Sequence, residues 1–401
     1  MENESLISIK EESGMNVHCS QSGRNFVSSI LCIFVAMLFL PFMSIAYAED
    51  KPIVVLPGIR IFDYSIDGRD VYFAGNNGEA DSIVKLSVWN EANNRIKEID
   101  IKPADHDVNG TYYQLLSVSQ KSALLIRFQV KILNDRTFAT QDLEEIDFTS
   151  MERKKIASYD PNETFFSLKD SFLMIYQNDE SDAQSTRFVL TNYDNNIIWE
   201  KTYLSKFTIN DVISVPDGFV VLGAMNGCGY ISKFDANGEM IWEKLIENCE
   251  TIRKGKLNED AITFTGITEH NSLNNPCKLL IGQISADGDI DLVELDEKNY
   301  MVNLLDMERV DNNLFLLLLV NREDNFVLEA IQLDHEIRCI NHKTVVENAD
   351  PVCTAQFVLT NSNLYIAYSG ATPMKTDRGY FKFQSPSNTY IYPYTSVDLK
   401  K

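Results

Sequence analysis

Positive charge is scarce in this sequence. It has 36 lysines and arginines against 58 aspartates and glutamates, which gives a formal net charge of −22. Because so acidic a surface repels phosphate groups, the composition argues against nucleic acids and anionic lipids as partners. Long apolar runs are also scarce: after Ala48 none reaches the roughly 20 residues that span a bilayer. We therefore expect no stable membrane span in the remainder of the chain.

Sequence motifs of catalysis and cofactor binding are absent as well. There is no Gly-x-Ser-x-Gly elbow, no Walker loop and no dinucleotide fingerprint. No Cys-x-x-Cys pair or Cys/His spacing suggests zinc or haem attachment. The acidic run from Asp287 to Glu294 lacks the glycine and glutamate positions of an EF-hand loop, so a solvated hairpin turn is the better interpretation. We expect no metal and no cofactor, and the sequence leaves any catalytic residues unknown. The histidines after Ala48 fit no recognisable site: His106, His270, His335 and His342.

The first 48 residues have the layout of a secretory signal peptide. Arg24 precedes an almost wholly apolar run over residues 26–48, and Ala46-Tyr47-Ala48 places small residues at the −3 and −1 positions of a cleavage site after Ala48. An uncleaved signal anchor is the alternative, because the run approaches the length of a bilayer span. The sequence thus predicts a signal peptide over 1–48 and a secreted or periplasmic domain over 49–401.

The stretch from Asp211 to Lys244 reads as four short strands joined by tight turns. Pro216-Asp217-Gly218 is a turn signal in front of the apolar run that begins at Phe219. Asn237-Gly238 supplies the positive φ angles of a hairpin turn, and the residues on both sides of it alternate in polarity. Together these signals predict one antiparallel four-stranded sheet.

Weaker copies of this unit recur along the chain. A fixed period of about 50 residues indicates a solenoid, a propeller or an array. A propeller fits best, because no helical stretch separates the strands and the second strand is apolar on both faces, as a strand between neighbouring sheets should be. The sequence therefore predicts an all-β propeller of seven four-stranded blades, with six or eight blades as alternatives. The apolar runs of the second strands begin at Val71, Ala123, Phe172, Phe219, Ile262, Leu314 and Leu364.

Closure of such a ring requires the two ends of the domain to meet. A short apolar segment, Ile53-Val54-Val55-Leu56, precedes the first unit. We expect it to pair with the last blade, near residues 390–392 or 380–383. No linker or low-complexity segment interrupts residues 49–401, so we predict one domain, although the length alone would allow two.

The fourth strand of the unit repeats too, since Ile198-Trp199-Glu200-Lys201 recurs as Ile241-Trp242-Glu243-Lys244. The two tryptophans could stack on a sugar, but their equivalent positions favour packing between blades. The units over 206–248 and 160–204 resemble the blade repeat of exported bacterial β-propellers, which are similar in architecture to quinoprotein-like and Trp-Asp-repeat propellers. The resemblance implies the fold and little about activity, because its members serve many purposes.

Cysteines offer the only candidate crosslinks, because export would permit disulfides. Cys249 and Cys353 occupy equivalent places in their units. In a propeller the loop after a second strand and the link between blades share a face. Cys228 could then pair with Cys249, and Cys339 with Cys353, which leaves Cys277 free. Cys249–Cys277 is the rival pairing, and reduced buried thiols are the alternative to any pairing.

Two classes of function remain. The first is an exported, non-enzymatic propeller that binds or scaffolds a protein or carbohydrate partner through loops on one face. The candidate loops are 76–80, 177–185 and 268–276. The alternative is a hydrolase or lyase whose active site lies in the central channel, where carboxylates would come from several blades and a sequence cannot locate them.

Overall fold

The protein is described by a computed structural model. The chain divides into two units, 1–48 and 49–401, and every described residue lies in the second. The predicted signal peptide and its cleavage site after Ala48 therefore lie outside the described residues. The described ranges are 52–57, 59–76, 84–101, 111–133, 136–150, 152–178, 185–205, 207–258, 261–268, 278–295, 302–322, 325–349, 353–360, 363–375 and 381–394.

Strands are the only regular elements within those ranges. No described helix therefore has the length and hydropathy needed to cross a membrane. The strands of the first half are β1 (Val54–Leu56), β2 (Arg60–Asp67), β3 (Asp70–Asn76), β4 (Val84–Asn90), β5 (Arg95–Ile101), β6 (Thr111–Val118), β7 (Ser122–Leu133), β8 (Arg136–Asp147), β9 (Arg153–Tyr159), β10 (Glu163–Ser167), β11 (Ser171–Asn178), β12 (Ser185–Asn192) and β13 (Ile197–Tyr203). Those of the second half are β14 (Thr208–Val215), β15 (Gly218–Met225), β16 (Cys228–Asp235), β17 (Met240–Ile246), β18 (Thr251–Asn258), β19 (Ala261–Ile267), β20 (Leu279–Ile284), β21 (Ile290–Glu294), β22 (Val302–Val310), β23 (Asn313–Arg322), β24 (Asn325–Leu333), β25 (Cys339–Val346), β26 (Thr354–Leu359), β27 (Leu364–Lys375) and β28 (Phe381–Pro393).

These strands form seven antiparallel four-stranded sheets, as predicted. Blades 1 to 6 each use four consecutive strands, from β2–β5 through to β22–β25, and blade 7 combines β26–β28 with β1. First strands of neighbouring blades contact each other, for example β2 with β6, β14 with β18 and, across the closure, β2 with β26, so the first strand is the inner strand of its blade. Each of the seven apolar runs identified in the sequence lies in the second strand of its blade. The architecture is therefore a seven-bladed β-propeller.

Ring closure occurs where the sequence placed it. Val54 pairs with Ile391, and Leu56 with Thr389, so β1 becomes the outer strand of the last blade. Leu56 and Ile391 are fully buried. Blades 1 and 7 are further joined by the Glu91 carboxylate, one oxygen of which accepts hydrogen bonds from three side chains of blade 7. These donors are Thr360, Asn363 and Tyr365.

The repeated tryptophans join neighbouring blades, as their positions suggested. Trp199 of blade 3 donates its indole N–H to the carbonyl of Ala236 in blade 4 at 2.8 Å, and its ring stacks on Phe219 with 6.1 Å between centroids. Trp242 of blade 4 repeats the bond one joint further on, to Ala286 in blade 5 at 3.1 Å. In each case the acceptor carbonyl belongs to the turn between the third and fourth strands of the next blade, so the turn sequence and the tryptophan form one unit.

Glycine is required at that turn for two separate reasons. Gly238 has a φ of +77°, a region that L side chains rarely adopt, and a Cβ atom there would lie 2.8 Å from the Trp199 ring. Gly227, in the hairpin between β15 and β16 of the same blade, has a φ of +76° but open space around the missing Cβ. The two positions therefore separate backbone strain from steric contact with the tryptophan.

We predict that Gly238→Ala destabilises the protein more than Gly227→Ala. Both substitutions should lower the free energy of unfolding by about 1–2 kcal/mol, because alanine disfavours a left-handed conformation. Gly238→Ala should lose about 1–3 kcal/mol more through overpacking against Trp199. Urea denaturation followed by tryptophan fluorescence measures both. Equal losses of unfolding free energy would show that the contact with Trp199 carries no energy.

Candidate functional site in the central channel

One residue of every inner strand occupies the same register position. Each pairs with the residue three places after the start of the apolar run in the neighbouring second strand, and each is polar. We call this set the channel ring. It consists of Asp63, Gln114, Thr164, Asp211, Lys254, Asp306 and Gln356.

A β-bulge stands directly before the ring position in blades 1, 4, 5 and 6. The register shifts between Ile61 and Asp63, and equivalent shifts precede Asp211, Lys254 and Asp306. An extra residue in one strand bends it and re-aims the next side chain. In this propeller all four charged members of the channel ring follow such a bulge.

The carboxylates of the channel ring are bound to the neighbouring blade. Asp63 accepts a hydrogen bond from the backbone N–H of Leu115 at 2.9 Å, one residue after Gln114. Asp211 accepts one from Gly255 at 3.0 Å, and Asp306 accepts one from Phe357 at 2.8 Å.

Gln114 also bonds to the next blade, but as a donor: its side-chain amide donates to the carbonyl of Phe165 at 2.8 Å. Each of these side chains reaches the residue that follows the ring member of the next blade. The shared contact identifies the channel ring first of all as a fastening between inner strands.

Burial dominates the electrostatics of the channel. It raises the pKa of Asp63 to about 7, against the stabilising hydrogen bonds of two backbone N–H groups and the charge of Lys254. Burial also raises the pKa of Asp211 and of Asp306, and Lys254 opposes the rise in both. Lys254 is thus the cation shared by three carboxylates that belong to three different blades.

An ion pair lies two residues beyond the ring members Lys254 and Asp306 on their strands. The ammonium of Lys256 is 2.9 Å from the carboxylate of Glu308. Burial alone would lower the pKa of Lys256, but the charges of Glu308 and Asp306 outweigh it and raise the pKa. The channel therefore holds acidic and basic groups from blades 1, 4, 5 and 6, the kind of multi-blade set that an active site in the channel would need.

The geometry nevertheless limits what Asp63 can do chemically. A carboxyl group with a pKa near 7 is suited to general acid–base catalysis. Its Oδ1 atom, however, accepts the N–H of Tyr64 at 2.8 Å, and its Oδ2 atom accepts the N–H of Leu115. Both oxygens are already engaged with backbone, so the arrangement favours structural support over proton transfer.

The cysteines predicted to pair fall into two cases. The N–H of Gly229, next to Cys228, donates to the carbonyl of Cys249 at 2.5 Å, so the backbones of this pair are adjacent. Both thiols are unlinked, and burial raises the pKa of Cys249 to about 11. A Cβ atom on Gly229 would lie 2.9 Å from the Cys249 sulfur, and alternation along β16 directs Cys228 to the other face. The pairing of Cys228 with Cys249 stays a prediction.

The second predicted pair is separated by the length of a strand. Cys339 begins β25, whereas Cys353 lies beyond the other end of β25, just before β26. A disulfide needs Cα atoms within about 7 Å, so the structure does not bring these two residues together. Cys277, the member of the rival pairing, lies outside the described residues.

The histidines and loops named from the sequence are only partly described. His335 is exposed in a turn, and His342 lies 2.9 Å from the carboxylate of Glu329. His106 and His270 lie outside the described residues, as do most of the candidate binding loops. Within the described ranges no group of three or more His, Cys, Asp or Glu residues is arranged to hold a metal ion.

A buried ionic cluster in blade 2 escaped sequence analysis. Arg127 contacts Asp142 at 2.6 Å and Glu144 at 2.9 Å, and Glu144 also pairs with Arg153. Lys155 completes the cluster through Asp142 at 2.8 Å. Burial alone would raise the pKa of Asp142, but hydrogen bonds from Lys155, Ser158 and Arg127 outweigh it and lower the pKa. The feature of the sequence that could have revealed this cluster is Arg127, a charged residue inside the apolar run that begins at Ala123.

A groove of about 200 Å³ lies between blades 4 and 5. Its walls are mainly apolar; the polar members are Ser285 and the ion pair of Asp217 and Lys233, whose charged atoms are 2.9 Å apart. Nothing in the sequence pattern distinguished this joint from its neighbours. The lining residues are Val215, Pro216, Asp217, Val220, Lys233, Trp242, Leu257, Ile262, Ile284, Ser285 and Ala286.

Comparison with known proteins finds similarity in structure alone. No protein-family model matches the chain, and a search of curated proteins gives no match. An ulvan lyase of polysaccharide lyase family PL25 matches with a TM-score of 0.56 at 8% identity, over 87% of this chain and 96% of that one. The β-propeller domain of the trilobed protease from Pyrococcus furiosus matches with a TM-score of 0.46 at 12% identity, over 84% and 98%.

An acylaminoacyl peptidase from Pyrococcus horikoshii matches with a TM-score of 0.49 at 12% identity, over 83% of this chain and 51% of that one. This chain thus spans about half of the peptidase. At 8% identity the likeness to the ulvan lyase supports the β-propeller fold and nothing finer. Bacterial origin and a quinoprotein-like relationship stay predictions.

The raised pKa of Asp63 predicts a pH dependence of stability. The folded state retains a proton that an unfolded aspartate, with a pKa near 3.8, has released. The contribution of Asp63 to the free energy of unfolding therefore falls as the pH rises from about 4 to 7. We expect wild type to lose stability relative to Asp63→Asn across that range, measured by urea midpoints.

Asp147→Asn is the matched control. Asp147 lies in an exposed turn, and the backbone N–H groups of Ser150 and Thr149 lower its pKa. Because its pKa is lowered, the contribution of Asp147 to stability rises with pH near pH 4 and is constant above about pH 5, so it cannot cause a loss of stability toward pH 7. Parallel curves for wild type and Asp63→Asn would contradict the prediction.

Proposed function

We propose that this protein is a secreted or periplasmic β-propeller that binds or scaffolds a partner without chemically changing it. The observation that supports this most directly is the use of the channel carboxylates. Asp63, Asp211 and Asp306 each accept a hydrogen bond from the backbone of the next blade. Groups that hold the ring together in this way are poorly placed to bind and release protons at every turnover, whereas a rigid ring suits a binding scaffold.

A protein partner suits the described surfaces better than a carbohydrate. Stacking on sugars requires free aromatic faces, but the ring of Trp199 already stacks on Phe219, and Trp242 lines a groove of only about 200 Å³. The groove between blades 4 and 5 is lined mainly by aliphatic side chains. Apolar lining with a single ion pair at its edge is typical of protein contacts.

Recovery of a specific partner tests this function. The chain from residue 49 to residue 401, immobilised and exposed to an extract of the source organism's cell envelope, should enrich a defined protein at least tenfold over an unrelated β-propeller of similar charge. Enrichment should persist in Asp63→Asn, because binding does not use the channel carboxyl. If no component is enriched over the unrelated propeller, the binding function is wrong.

The alternative is a hydrolase or lyase with its active site in the channel. It is favoured by the pKa of about 7 for Asp63, and the charge of Lys254 acts on this carboxyl. The ulvan lyase, solved with the oligosaccharide -[GlcA(1-4)Rha3S]-, makes acidic polysaccharides the first class to test. The net charge of −22 argues against such substrates, because like charges repel a polyanion from the surface.

A turnover assay decides between the two classes. We expect no product from a panel of acidic and neutral polysaccharides and of simple esters, followed by absorbance of unsaturated sugars, reducing ends and released alcohol. Turnover that disappears in Asp63→Asn but persists in Asp147→Asn would establish the enzyme and overturn the binding proposal.

A further inference from the structure

The groove between blades 4 and 5 exists because one joint of the propeller lacks two aromatic rings that its neighbour has. At the joint of blades 3 and 4, Trp199 stacks on Phe219, and Phe219 stacks on Phe234 with 5.1 Å between centroids. Phe219 and Phe234 are cross-strand partners in β15 and β16. Three flat rings therefore fill the space between these two blades.

The same positions in the next joint carry smaller side chains. Trp242 replaces Trp199 and makes the same bond to a turn carbonyl. Ile262 and Ile284, which are cross-strand partners in β19 and β20, stand where blade 4 has its two phenylalanines. All three line the groove. The joint of blades 4 and 5 therefore has a tryptophan in the same place as the joint of blades 3 and 4, but isoleucines replace the two phenylalanine rings.

The size of the groove suits one side chain. Pockets for drug-sized molecules measure ~300–1,000 Å³, whereas this groove has about 200 Å³. At its edge Leu257 is 36% exposed, so the groove opens to solvent there. An apolar wall ending in a tryptophan favours a planar ring, which gains from offset or edge contact as well as from burial.

The charge at the edge of the groove is negative on its outer side. The side chain of Asp217 is 60% exposed, whereas that of its partner Lys233 is only 12% exposed. The hydrogen bond from Lys233 lowers the pKa of Asp217, so the carboxylate stays ionised at neutral pH. An incoming chain therefore meets an exposed carboxylate beside an apolar slot, on a protein that is acidic overall.

We propose that this groove binds an aromatic side chain of a polypeptide partner, with a lysine or arginine of the partner next to the aromatic residue to pair with Asp217. The proposal rests on the binding function proposed above and names its site and the chemistry of the partner. The ring would lie against Trp242, in the space that the smaller Ile262 and Ile284 leave open, and the cation would meet the exposed carboxylate at the edge.

A phage-displayed library of random 12-residue peptides provides the probe. Selection on the folded domain should enrich peptides in which Phe, Tyr or Trp adjoins Arg or Lys. The dissociation constant of the best synthetic peptide, measured by fluorescence polarisation, should rise at least tenfold in the double variant Ile262→Phe/Ile284→Phe. This variant fills the groove with the pair of rings found at the neighbouring joint.

Matched variants separate the groove from other causes. Ile340→Phe adds a ring at an exposed position of blade 6 and should leave binding unchanged. Asp217→Asn should weaken binding about two- to fivefold at low salt and less at high salt, as expected for a screened ion pair. Leu257→Arg places a longer, charged side chain at the opening and keeps Trp242, Ile262 and Ile284, and it should abolish binding even if the double variant does not fold.

Several results would overturn the proposal. They are the absence of any enriched peptide, enrichment of peptides without an aromatic residue, and binding that is unaffected by filling or blocking the groove. The envelope extract distinguishes this failure from failure of the function itself. A partner that is retained equally by wild type and by Leu257→Arg would leave the binding function intact and place its site elsewhere.

Discussion

Contacts that cross from each blade to the next hold this propeller together. A four-stranded sheet with two apolar faces cannot bury either face alone, so each blade depends on both neighbours. Phe188 of blade 3 shows the pattern, because its ring lies 6.3 Å from Phe219 and 5.3 Å from Phe234, both in blade 4. The carboxylates of the channel ring add a polar fastening to the same joints. The joint, rather than the blade, is the unit of stability.

The dependence of each blade on its neighbours explains why the channel contains charged groups although its carboxylates are bonded to the backbone of the next blade. A carboxylate buried near the axis is costly unless it finds donors and a counter-ion. Asp211 and Asp306 find backbone donors on the next blade and share Lys254. Chemistry in the channel would compete with these contacts, since a group that changes its proton also changes the bond that holds two blades. Joints that are less completely filled are freer to acquire other roles.

The sequence predicted the fold through features that every unit shares. The apolar second strands, the turn at Gly238 and the terminal strand near Leu56 depend on local propensity and on burial, which leave a periodic pattern. The channel ring left no such pattern, because its members share a register position but include acids, amides, a lysine and a threonine. The turn of blade 6 was hard to recognise for a similar reason. Ile337 has a φ of 62° there, at the position where blades 4 and 5 have glycine, so the residue type did not signal the turn.

The way the ring closes has a consequence for synthesis. Val54–Leu56 is among the first parts of the domain to leave the ribosome, and its partners around Tyr390 are among the last. Until they arrive, the nascent propeller is an open arc, and the segment that will seal it is an unpaired apolar strand, a known template for wrong pairing. Closure spans nearly the whole domain in sequence, so a high contact order sets its pace. In each molecule the first strand must therefore avoid pairing with other strands until the last blade has been synthesised.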